Sequence, residues 1–158
     1  MQIASISEIK KELQTLHAAQ LVDLCIKIAK YKKDNKEFLN YLLYQTSNET
    51  QFIENIKLEM TELFGDINRT NLYFAKKTIR KILRLANKNA KYSGIVTTNI
   101  ELLMHFCKEL NNTGLDFKKS TVLNNLYNSQ IKKIKESLST LHEDIQYDYQ
   151  KDLEILTK

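Results

Sequence analysis

The sequence has no proline and only three glycines, Gly65, Gly94 and Gly114, among its 158 residues. Proline breaks helix interiors and strand-rich folds need glycine in their turns, so both scarcities favour helix along the whole length. Three scattered glycines form no phosphate-cradling loop, and neither a G-x-S-x-G elbow nor an H-E-x-x-H helix occurs. Nucleotide-dependent and hydrolytic families therefore lose their usual sequence support, and no cofactor or metal is expected. The two cysteines, Cys25 and Cys107, are too few for a disulfide scaffold; each sits among apolar neighbours at helical spacing, the setting of a buried thiol in a reducing compartment. No apolar run approaches the ~20 residues of a membrane span, and the opening MQIASISEIKKELQ lacks the basic patch and apolar run of a secretory signal. The expected location is cytoplasmic, away from membranes.

What is present fits a globular chain: 42% of the residues are hydrophobic and 27% charged, and a chain of this length can bury roughly 70% of its unfolded surface as one domain, residues 1–158. Apolar residues recur every three to four positions, separated by capping residues rather than by alternating patterns, which predicts an all-α fold of about eight helices. Ser5 with Glu8 makes a capping box that starts a helix near residue 6, carrying Ile6, Ile9, Leu13 and Leu16. A second helix, near 19–32, has so broad an apolar surface that a central position is expected. Asp34 with Glu37 and Asn48 with Gln51 are read as caps of the third and fourth helices, the latter stopped by Gly65. A fifth spans about 70–91, and Ser93-Gly94 breaks it from a sixth along Val96, Ile100, Leu103, Cys107 and Leu110. A seventh is expected over 121–141, and a short eighth carries Tyr149, Leu153 and Leu156. Helix pairs beginning near residues 6, 34, 70 and 121 imply successive antiparallel αα-hairpins, a helical array or bundle without the fixed period of a true repeat.

One stretch departs from the rest. Between Ile67 and Ile100 there is no acidic residue, while Arg69, Lys76, Lys77, Arg80, Lys81, Arg84, Lys88 and Lys91 supply eight cations. That leaves 16 of the 24 basic residues to face all 19 acids elsewhere. All three arginines lie in this window, so the lysine-favouring codon bias of an AT-rich genome does not explain it. At the helical repeat, Lys77, Arg80, Lys81, Arg84, Lys88 and Lys91 fall within roughly 100° of one another, opposite the stripe of Leu72, Ala75, Ile79, Ile82, Leu83, Ala86 and Ala90. Such a ridge can dock an acidic protein or track phosphates. The plainer reading is a solvated face whose charge is answered within the fold by Glu143, Asp144, Asp148, Asp152 and Glu154.

Two polar clusters remain. His105 and Cys107 stand two positions apart on a helix and point about 200° away from each other, so they do not share a metal. His142-Glu143-Asp144, with Tyr147, Asp148 and Tyr149, places carboxylates beside a histidine at the junction of the last two helices. That arrangement can serve proton transfer, hold a cation, or simply cap both helix ends.

The segments SISEIKKELQTL, QLVDLCIKIAKYKKDNKEFLNYLL and LHEDIQYDYQKDLEIL, with the terminal His-Glu-Asp and Tyr-Asp-Tyr, resemble a family of small uncharacterised all-helical bacterial proteins, a domain of unknown function. The resemblance implies a bacterial cytoplasmic helical fold and no particular activity. The middle, LYFAKKTIRKILRLANKNAKYSGIVTTNIELLMHFCKEL, is similar to a tetratricopeptide-type helical hairpin, without that repeat's Trp, Gly-Tyr and Pro markers.

The leading expectation is a non-enzymatic helical module that binds another protein through a groove or ridge between helices, with the basic helix as a candidate contact. A nucleic-acid-associated protein using that helix on phosphates is the first alternative. An enzyme with a site around His142 is the second.

Overall fold

The computed structural model describes residues 2–157. Among these, eight α-helices and one short 3₁₀ turn account for the regular structure, with no strand: α1 (Ile6–Thr15), α2 (Ala18–Tyr31), α3 (Lys33–Tyr44), α4 (Glu49–Gly65), α5 (Leu72–Ser93), α6 (Val96–Asn112), α7 (Thr121–Leu138) and α8 (Glu143–Leu156), with the 3₁₀ turn at Phe117–Lys119. The fold is the expected all-α array.

Several helix ends follow from local chemistry. Ser5 Oγ accepts from the Glu8 amide at 3.3 Å while the Glu8 carboxylate accepts from the Ser5 amide at 2.7 Å, so α1 starts on the predicted box. Asn48 Oδ1 accepts from the Gln51 amide at 3.0 Å and starts α4. Gly94, at φ 70°, takes the left-handed conformation that a side chain disfavours, and its amide donates to the Ala90 carbonyl at 2.9 Å to close α5. The third helix differs from expectation. It begins at Lys33 behind an extended Lys32, so Asp34 lies inside its first turn rather than at its cap. There the carboxylate meets the positive end of the helix dipole, a second way for acid to favour a helix start. The seventh helix ends three residues early, at Leu138, where Ser139 and Thr140 turn their hydroxyls onto the carbonyls of Glu136 and Ser137.

The chain divides into two compact units, Met1–Thr46 and Ser47–Lys158. In the first, α2 packs on α3, and the Asn35 side-chain amide donates to the Ile28 carbonyl at 2.9 Å across their turn. Among its described residues Tyr41 is the buried side chain; no residue of α2 is buried, against the central position expected of that helix. Its apolar residues lie on more than one face, and α3 covers only part of them. Cys25 is accordingly exposed rather than packed.

In the second unit α6 packs against α4, α5, α7 and α8, and α5 and α6 form the expected hairpin. Ile100, Leu102, Leu103, Phe106, Cys107 and Leu110 of α6 are buried, so this helix presents a broad apolar face to its neighbours. The Glu49 carboxylate at the start of α4 accepts from the Ser93 hydroxyl and, at 2.6 Å, from the Thr98 hydroxyl, pinning the α5–α6 turn. No described helix is long and apolar enough to cross a membrane.

Candidate functional site

The basic helix is α5, and its two faces separate as its spacing requires. Ala75, Ile79, Ile82, Ala86 and Ala90 are buried, while Lys77, Arg80, Lys81, Arg84 and Lys91 are exposed and Lys76 and Lys88 half-buried. The small alanines let α5 approach its neighbours closely. From Lys77 to Lys91 the ridge runs ~21 Å at 1.5 Å per residue. Arg69 precedes the helix, on a turn held by Asn68, whose Oδ1 accepts from the Thr70 and Asn71 amides at 3.0 and 2.8 Å.

Among the described residues, none of Arg69, Lys76, Lys77, Arg80, Lys81, Arg84 and Lys91 lies within ion-pairing distance of a carboxylate. The acids of the C-terminal helix are elsewhere: α8 packs on α6 and α7. The charge of the ridge therefore faces outward. Tyr73, Lys76, Lys77, Arg80 and Arg84 line a shallow depression of about 540 Å³ along it. At its N-terminal end Tyr73 is 73% exposed and Phe74 53% exposed, their rings edge to face at 5.5 Å.

His142 is the N-cap of α8. Its Nδ1 accepts from the Asp144 amide at 3.4 Å, and both side chains are exposed. The cluster around it disperses: Tyr147 and Asp148 face the surface, whereas Tyr149 turns to α6. The geometry is that of a helix cap.

Tyr149 belongs to a polar network that sequence reasoning missed. Lys57 of α4 donates to Glu101 of α6 at 2.8 Å and to Glu54 at 2.9 Å, and the Tyr149 hydroxyl donates to the other Glu101 oxygen at 3.3 Å. Burial works against the Lys57 ammonium, yet the two glutamates raise its pKa overall; burial followed by the Glu101 charge raises that of Tyr149. His105, one turn beyond Glu101, places Nε2 3.0 Å from the Lys57 carbonyl and 2.9 Å from the Thr61 hydroxyl. A carbonyl only accepts, so Nε2 carries a proton toward it, a bond that favours the charged ring and works against burial. Burial is the main reason that its pKa lies below the ordinary 6.5. Cys107, two positions on, faces the core, where burial pushes its thiol up to about 12.

The lowered His105 pKa sets a pH dependence. Between the ordinary 6.5 and the lower folded value the unfolded chain binds a proton that the folded chain does not, so stability is present above pH 6.5 and is lost as pH falls through that window. Urea midpoints recorded from pH 7.5 to 5.5 (about one unit either side of 6.5) are expected to fall in the wild type and to fall less in His105→Gln. Equal slopes would refute the assignment.

No protein-family description, curated protein or solved structure matches the chain. The functional reading therefore rests on the surface itself.

Proposed function

We propose that the protein is a non-enzymatic helical interaction module whose contact surface is the outer face of α5, and that its partner is an acidic protein. One observation carries the reading: a ridge whose Lys77, Arg80, Lys81, Arg84 and Lys91 are exposed, backed by a buried apolar face, with no carboxylate of the described residues paired to Arg80, Lys81 or Arg84. Arginine adds planar two-point recognition of carboxylates, and the ridge also steers an oppositely charged partner toward contact. A second reading, single-stranded nucleic acid, is favoured by exposed Tyr73 at the end of the same depression, since bases stack on such rings beside a basic track.

The test is fluorescence anisotropy across a salt series with a labelled glutamate-rich peptide, single-stranded RNA and duplex DNA, using wild type and Arg80→Glu/Arg84→Glu. The double reversal is expected to weaken peptide binding at least ~10-fold and to flatten its salt dependence, while the urea midpoint stays near wild type because both side chains are exposed. Tighter binding of RNA than of peptide, weakened further by Tyr73→Ala, would transfer the surface to the second reading. Binding of none of the three would overturn both and leave a solvated face.

A further inference from the structure

Separate from the α5 ridge, a cavity of about 340 Å³ opens between α6 and α8, with Lys57 of α4 at one end. Its volume is at the lower end of the range for small-molecule sites, roughly 300–1,000 Å³. On α6, Glu101, Met104, His105, Lys108 and Asn112 form one stripe at helical spacing; on α8, Tyr149, Asp152 and Ile155 form another. Met104 and Leu156 are buried and, with Ile155, make an apolar part of the lining. The wall is tied in place by buried Tyr127, whose hydroxyl accepts from the Asn111 amide at 2.9 Å and donates to the Leu156 carbonyl at 2.7 Å.

The charges lining this cavity balance: Lys57 and Lys108 against Glu101 and Asp152. Lys57 and Glu101 are committed to each other at 2.8 Å. Lys108 of α6 and Asp152 of α8 line the same space, carry opposite charge, and are in no ion pair among the described residues. A purely anionic ligand would meet Asp152, and a purely cationic one Lys108. The complementary ligand carries both charges close together with an apolar group between or beside them.

We infer that the α6–α8 cavity binds a small zwitterion with an apolar side chain, of the α-amino acid class. Its ammonium faces the Asp152 carboxylate, its carboxylate faces the Lys108 ammonium and the Asn112 amide, and its side chain lies against Met104, Ile155 and Leu156. The neutral His105 ring and the closed Lys57–Glu101 pair add hydrogen-bonding surface without upsetting the charge balance.

Calorimetric titration of the full chain with leucine, methionine and phenylalanine, and with N-acetyl-leucine and leucinamide as single-charge controls, tests the assignment. At least one of the three amino acids is expected to bind, with both controls at least ~10-fold weaker. Asp152→Asn and Lys108→Gln are each expected to bring the amino acid down to the level of the controls while leaving the unfolding temperature of the free protein unchanged, because both residues are exposed and in no ion pair among the described residues. Arg80→Glu/Arg84→Glu is expected to bind the amino acid as wild type does, which separates this site from the α5 surface. Absence of binding by all three amino acids, equal binding of the controls, or unaltered binding in both cavity variants would each overturn the inference.

Discussion

Replacing Phe106 with alanine is expected to lower the free energy of unfolding by ~3–5 kcal/mol, the usual cost of removing a buried aromatic side chain. Phe106 is fully buried on α6, and its ring lies 5.6 Å from that of Phe64 on α4 in a tilted pair. Two contributions add. The apolar surface returns to water on unfolding with less to gain from burial, and the surrounding side chains, held by helices on several sides of α6, close only partly over the void. Because a domain's whole stability is about 5–15 kcal/mol, the variant is expected to be largely unfolded at modest denaturant. The informative control is Phe74→Ala. It deletes the same side chain from a 53% exposed position and should cost less than ~1 kcal/mol. Urea titrations followed by far-ultraviolet circular dichroism separate the two. Comparable shifts would mean that Phe106 does not sit in a packed core.

The two thiols are expected to differ by at least ~10³-fold in their rate of reaction with a chromogenic disulfide reagent under native conditions, because a buried site must wait for rare opening. Cys25 is exposed on α2; Cys107 is fully buried on α6 with its thiol pushed up to about 12. At pH 8 such a thiol is ionised only about one part in 10⁴, and the thiolate is the attacking species. Absorbance should therefore report one equivalent promptly and a second only on addition of urea. Cys25→Ser should abolish the prompt equivalent. Two prompt equivalents in the wild type would place Cys107 in solvent and contradict the packing of α6.

Where helices start and stop was legible because the deciding chemistry is local. A hydroxyl three residues before a glutamate, an asparagine three before a glutamine amide, and a glycine after a helical run each satisfy backbone groups within a turn. The separation of α5 into a buried and a basic face was legible for the same reason. Asp34 and Glu37 misled because an acid at the cap and an acid in the first turn give the same sequence signal. Burial was harder. Ile6, Ile9 and Leu13 repeat as regularly as Ile100, Leu103, Cys107 and Leu110, yet the first three remain exposed and the last four are buried. Periodicity shows that a helix has an apolar side, and only the neighbours determine how far it is covered. The Lys57–Glu101–Tyr149 network was invisible because its members come from α4, α6 and α8, far apart in the chain; Lys57 and Glu101 alone look like ordinary surface residues, and Tyr149 was grouped with its sequence neighbours around His142.

The central place of α6 also has a bearing on how the protein is made. A ribosome releases α4, α5 and α6 before α7 and α8, and these three can close on one another at once. The sides of α6 destined for α7 and α8 then stay bare while the chain from Asn112 to Leu156, ~40 residues, is still being added, which at roughly 5–20 residues per second lasts some seconds. During that interval the nascent chain carries an open oily stripe on the helix that the finished fold buries most fully. A pause in translation beyond residue 112 would lengthen its exposure to chaperones and to other nascent chains.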